Sequence, residues 1–148
     1  MQNLSDFLGK EIKERKRIFV PAGKGKTSFV DTRDIAEAIS LIMQNSYSHQ
    51  NSKYVITGNE ALDFYEVATI MTQVMNVNIC YTNPSVKEFK EFMLKRGEDE
   101  DFINVVIGIH FPTKLGLAKG ISNDFESLTN KKPLSIKTYI EDYKDNWL

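Results

Sequence analysis

The sequence predicts a helix-rich α/β fold with a small mixed sheet of short strands, and three observations carry that prediction. Apolar residues recur at helical spacing in several stretches, as in Ile35, Ala38, Ile39, Ile42 and Met43, or Val67, Ile70, Met71 and Val74. Between them lie short apolar runs at residues 18–20, 28–30, 53–57 and 78–83, which are strand-sized. Glycines, prolines and pairs with capping-box spacing punctuate the boundaries. In 148 residues, 41% of them hydrophobic, no repeat, low-complexity tract or dividing linker occurs, so residues 1–148 are expected to form a single domain.

The elements follow in order. Residues 3–17 read as a helix with Leu4, Phe7 and Leu8 in its first turn and a densely charged second half, a mixed-sign run that suits a solvated face. Residues 18–20 form a strand leading into Pro21 and the loop PAGKGKTS, where Gly23 and Gly25 permit positive φ or close backbone approach. A second strand is expected over 28–30. Asp31, just after it, is read as holding backbone amides of the next loop, and Asp34 as the cap of a helix starting at Ile35 with the five apolar residues named above on its buried face.

After a polar link, residues 53–57 read as a strand stopped at Gly58-Asn59. Asp63 and Glu66 have capping-box spacing and open a helix from Phe64 to Met75. Residues 78–83 give another strand, and Ser85 with Glu88 a second capping box, for a helix whose inner face is Val86, Phe89, Phe92 and Met93 and which Gly97 ends. An acidic link at 98–101 favours the next helix N-terminus. In that helix, residues 102–111, apolar side chains run round nearly the whole cylinder, which marks burial on more than one side, and Pro112 is expected to break or kink it. Asn123 with Glu126 predicts one more capped turn. The last helix, from Ser135, carries Ile136, Tyr139, Ile140, Tyr143 and Trp147 as a core-anchoring stripe.

Composition excludes several function classes. A net charge of −1 argues against a surface built for phosphate backbones, so nucleic acid is not an expected partner. One cysteine, Cys80, and two histidines, His49 and His110, far apart, give neither a disulfide nor a metal cluster; His49 is read as loop surface and His110 as helix flank. No signal peptide and no apolar run of membrane-spanning length is seen, which predicts a cytoplasmic protein without a membrane partner. Gly25-Lys26-Thr27 imitates the end of a phosphate loop, but that pattern needs a glycine where Val20 stands.

The runs PAGKGKTSFVDTRDIAEA, KYVITGNEALDFYEVATIM and SNDFESLTNKKP resemble the C-terminal half of NmrA-like atypical short-chain dehydrogenases, a group of NAD(P)-binding reductases, quinone reductases and redox-sensing regulators. The resemblance implies the C-terminal part of a Rossmann-type fold, with the nucleotide-binding half lying N-terminal to this region. It also implies that this half supplies the wall of the substrate pocket. Asn3 and the PAGKGKTSF loop are carried over as that wall, with Lys26, Ser28 and Phe29 as substrate-binding residues and Phe111 as a lid.

No catalytic residue is assigned. The glycine-rich turn that accepts a pyrophosphate does not occur, and no tyrosine is followed by lysine four residues on. The chain alone is therefore expected to bind no cofactor, NAD(P) being that of the parent family, and to be inactive by itself on a small-molecule substrate. The alternative is a self-standing binding or regulatory module acting through an exposed pocket or an oligomer interface. An enzyme of unrelated chemistry would need a nucleophile–base pair, which the sequence does not show. A homo-oligomer is expected, held by the helix containing Val105, Val106 and Ile109.

Overall fold

The computed structural model describes residues 1–148. Eight helices and four short strands follow in the order α1 (Asn3–Asp6), α2 (Gly9–Arg15), β1 (Arg17–Phe19), β2 (Thr27–Ser28), α3 (Thr32–Gln44), β3 (Ala61–Leu62), α4 (Phe64–Met75), β4 (Cys80–Thr82), α5 (Val86–Lys95), α6 (Glu100–Lys114), α7 (Asp124–Thr129) and α8 (Ile136–Tyr143). A 3₁₀ turn, Ser46–His49, follows α3. The predicted mixed sheet is two separate ladders. β1 pairs in parallel with β4, Ile18 opposite Tyr81, and β2 pairs antiparallel with β3, Thr27 opposite Leu62.

The core lies around the β1–β4 ladder. Ile12, Ile18, Val20, Val67, Met71, Phe89, Ile103, Val106, Ile136, Tyr139, Ile140 and Trp147 form one buried cluster that α2, α4, α5, α6 and α8 close from several sides. The aromatic stripe of α8 is core, as its period predicts. The Trp147 indole N–H donates to the Leu4 carbonyl at 3.1 Å, and the Tyr139 and Ser5 hydroxyls lie 2.6 Å apart, so the end of the chain is fastened to α1.

Local capping reads as expected at α4 and α5. Asp63 accepts from the Glu66 amide at 2.9 Å while Glu66 accepts from the Asp63 amide at 2.8 Å. Ser85 and Glu88 exchange the same pair of bonds. Gly97 follows α5 at φ +81°, and Asp99 caps α6 by accepting from the Asp101 and Phe102 amides.

Several expectations are corrected. The helix over 3–17 is two, because the chain turns at Phe7–Leu8, where Gly9 packs beneath Trp147 and the Leu4 carbonyl, and Lys16 ends α2 in the left-handed conformation at φ 53°. Asp31, not Asp34, caps α3: its carboxylate accepts from the Arg33 amide, and the helix starts at Thr32. Asp34 is buried within the first turn and accepts instead from the Leu134 amide at 2.9 Å. Burial pushes the Asp34 carboxyl above its ordinary range. Of the predicted inner face of α3 only Ala38 is buried, since the short α7 covers one side, while Ile39 and Met43 stand exposed.

Residues 53–57 are extended but have no strand beside them in this chain. Their polar groups go elsewhere: the Val55 amide donates to Asp124, and Thr57 exchanges bonds with Ser122. Val86 is exposed rather than inward. Asn123 precedes α7 without capping it by its side chain. α6 passes through Pro112 to Lys114, because the carbonyl the proline leaves without a partner, at Gly108, sits on an exposed turn open to solvent. Only Ile103, Val106, His110 and Thr113 of α6 are buried, so its apolar girdle is half exposed. Val106, proposed from the sequence as interface, faces the core.

Candidate functional site

The loop after β1 is built from side chains on the neighbouring strand. The Tyr81 hydroxyl donates to the Val20 carbonyl at 2.8 Å and accepts from the Ala22 amide at 3.2 Å, and Asn83 accepts from the Gly23 amide at 3.0 Å. Burial pushes the Tyr81 phenol up to about 12. Each glycine has its own reason. Gly23 takes φ +62°, and at Gly25 an added Cβ would stand 1.8 Å from the Thr113 carbonyl, so the loop lies directly on the last turn of α6.

This packing also answers whether the loop could hold a pyrophosphate. The amides of Ala22, Gly23 and Gly25 are already bonded to Tyr81 and Val20, to Asn83 and to Ala22, and the loop leads into β2 rather than a helix. A nucleotide diphosphate needs free amides at a helix N-terminus. The loop does not fit that group.

What the loop does position is one wall of a cleft of about 190 Å³ between α1, β2, the start of α4 and α6. Asn3, Ser28 and Phe29 line it together with Phe7, Phe64, Ile109, His110 and Thr113. The aromatic walls interlock: Phe29 meets Phe64 edge-on at 5.6 Å, and the His110 ring sits between Phe64 at 5.6 Å and Phe7 at 6.1 Å. No side chain of Asp, Glu, Lys or Arg lines the cleft.

Two of the five predicted residues fall outside it. Lys26 turns to α4, where its ammonium meets Glu66 at 2.7 Å and so ties the loop to the α4 capping box. Phe111 is on α6 but points to solvent, more than half exposed, and does not line the cleft. Phe7, Phe64 and His110 are among the lining residues that the sequence did not point to.

His110, read from sequence as helix flank, is 5% exposed. Its Nδ1 lies 2.8 Å from the Val106 carbonyl, and burial lowers its pKa. The ring bonds to none of the hydroxyls of Thr27, Ser28 or Thr113, so no nucleophile is activated here. His49 hydrogen-bonds the Tyr54 hydroxyl at 2.7 Å, half-buried.

A second cavity, about 220 Å³, lies on the other side of Phe7 against Phe19, Phe89 and Phe92. It is slightly larger, and its polar lining is charged: Asp6, Lys10, Glu11, Arg96 and Glu98. Buried Glu11 accepts from Arg17 at 2.6 Å and from Arg96 at 2.7 Å, a structural charge cluster, and none of the five predicted residues lines this cavity. The first cleft, where three predicted residues converge, is the candidate site. No group of three His, Cys, Asp or Glu residues could hold a metal ion, and no helix is long and apolar enough to cross a membrane.

No family model matches the chain. Among curated proteins, it is 28% identical over 149 residues to festuclavine synthase II of Penicillium roqueforti, covering 99% of this chain and 52% of that protein. It is 30% identical over 106 residues to an NAD(P)H azoreductase of Xenophilus azovorans, covering 72% of this chain and 36% of that one. The NADPH-dependent quinone oxidoreductase of Escherichia coli, solved in complex with NADPH, superposes with a TM-score of 0.85 at 16% identity, over 94% of this chain and 50% of that chain. The chain thus spans about half the length, or less, of the proteins it matches. Sequence and fold together place it in the NmrA-like family of NAD(P)-binding reductases, as that family's C-terminal half.

Proposed function

We propose that the chain forms the substrate-facing half of an NAD(P)H-dependent reductase acting on small aromatic acceptors of the quinone or dye type. The observation that carries this reading is the convergence of Asn3, Ser28 and Phe29 on one aromatic-walled cleft lined by no charged side chain. The relatives support it by what they act on, an azo compound in one case and a quinone in another. The chain's own part is to bind and orient the acceptor between Phe29 and Phe64 and to exclude water from it. The nicotinamide nucleotide is the reductant, and the glycine loop offers no place for its pyrophosphate. The chain alone is accordingly expected to show no saturable binding of NADH or NADPH by calorimetry and no turnover. A micromolar dissociation constant for either nucleotide would overturn that division of labour.

A second reading, a binding module acting through self-association, is favoured by the exposed apolar flank of α6, where Val105, Ile109, Phe111 and Leu115 are all more than half exposed. The occupant proposed is a second copy of the chain. Sedimentation equilibrium at tens of micromolar should then give a mass above the monomer, and Val105→Asp should reduce it. A monomer of unchanged behaviour in both proteins would remove this reading.

A further inference from the structure

His110, buried in the cleft wall, uses half of its hydrogen-bonding capacity. Its Nδ1 faces the Val106 carbonyl at 2.8 Å, and a carbonyl only accepts, so Nδ1 carries the hydrogen. In the neutral ring Nε2 is then a bare acceptor. Nε2 makes no hydrogen bond within the chain, although every fully buried side-chain nitrogen or oxygen of the protein is paired. It therefore retains an opening, and the space the residue lines is the cleft. Phe7 and Phe64 hold the ring on both sides, at 6.1 and 5.6 Å, so it is fixed in that direction.

We propose that the cleft takes an uncharged, single-ring hydroxyarene whose O–H donates to Nε2 of His110. This rests on the reading of the cleft as a substrate site and names the form the site holds more tightly: the hydroxyarene to which a quinone acceptor is reduced, the quinone itself having no O–H to donate and being held by the apolar walls alone. The walls provided by Leu4, Phe7, Phe29, Phe64 and Ile109 suit a flat apolar ring. Its size agrees: an apolar cavity of about 150 Å³ accepts benzene, and about 190 Å³ leaves room for one or two small substituents. Charge agrees as well. A carboxylate or phenolate would meet a lone pair on Nε2 and no cationic side chain, whereas a neutral hydroxyl supplies the missing donor. His110 is here a specificity-determining contact.

The test uses the whole chain, isotope-labelled, with three probes of one ring size: para-cresol, toluene and 4-methylanisole. Imidazole nitrogen shifts should first show the Nδ1–H tautomer for His110; the Nε2–H tautomer would overturn the proposal. All three probes should shift the amide signals of Asn3, Ser28 and Phe29. Para-cresol should bind about tenfold more tightly than the other two, the worth of one net hydrogen bond. His110→Phe should retain toluene binding and lose the preference for para-cresol. The wild-type comparison of para-cresol with 4-methylanisole decides the matter even where that variant fails to fold. Equal affinities at the cleft would overturn the role of His110 while leaving the cleft a ligand site. No shift at Asn3, Ser28 or Phe29 with any probe would remove both this proposal and the substrate-site reading beneath it.

Discussion

Replacing Tyr81 by Phe removes a single oxygen from the joint between β4 and the loop that forms one wall of the cleft. That hydroxyl donates to the Val20 carbonyl at 2.8 Å and accepts from the Ala22 amide at 3.2 Å, among groups that are fully buried. The loss is moderated by one local bond, since the Ala22 amide also reaches the Val20 carbonyl at 3.0 Å, so neither group is left with nothing. Two net hydrogen bonds of about 1 kcal/mol each give an expected destabilisation of about 2 kcal/mol, with little change in packed volume. For a urea dependence of about 2 kcal/mol per molar, the midpoint should fall by about 1 M at unchanged slope. Trp147, the only tryptophan and fully buried against Tyr139, reports the transition by fluorescence. Amide exchange at Ala22 and Gly23 should quicken in the same variant. An unchanged midpoint would refute the reasoning, because it would mean that this hydroxyl is not what holds the loop.

Other perturbations test separate parts of the structure. Asp63→Ala removes the cap of α4 and should cost about 1 kcal/mol in denaturant melts, an unchanged midpoint showing that the box is not formed. Gly25→Ala forces a methyl to 1.8 Å from the Thr113 carbonyl and should destabilise by about 1–3 kcal/mol. Gly108→Ala, on an exposed turn of α6 with nothing within 4 Å, should instead stabilise by up to about 1 kcal/mol, and reversal of that order would contradict the close approach of loop and helix. For His110, burial holds the folded pKa below the ordinary 6.5, so the unfolded chain takes up the proton first. Stability is therefore fully present above pH 6.5 and should fall as the pH drops below it, by at most about 1.4 kcal/mol per pH unit for one proton, and His110→Gln should remove this component. Asp31 adds a loss of the same sign at more acid pH. Burial acts to raise its carboxyl, but hydrogen bonds from Arg33 and Gln2 outweigh that and hold it below 3.8, so stability is lost as the pH falls through that lower value.

The parts legible in the sequence were those whose cause is local. The α4 capping box is written in residues three apart, and the α8 stripe in a period that any amphipathic helix shows. What stayed hidden depended on distant partners. Two aspartates, Asp31 and Asp34, both stand near the start of α3, and the choice between them is made a hundred residues away, where the Leu134 amide claims Asp34. Residues 53–57 have strand composition, but a strand needs a neighbour, and the groups nearest are side chains of the α7 region. Within the site, family resemblance pointed to Asn3, Ser28 and Phe29. The all-round apolar character of α6 concealed His110, because it blurs which face is inward. Once Ile103 and Val106 are buried, positions seven and four residues later put His110 on the same face.

The most direct measurement of the central claim is an amide chemical-shift titration of the labelled chain with duroquinone and, separately, with NADPH. Duroquinone has no ring hydrogen at which the exposed Cys80 thiol could add and rearomatise, so the shifts report binding. The expected result is a saturable change at Asn3, Ser28, Phe29 and Phe64 with the quinone and none with the nucleotide. Shifts centred instead on Phe19, Phe89 and Phe92 around the other cavity, or saturation by NADPH alone, would contradict the assignment of this chain as the substrate-facing half.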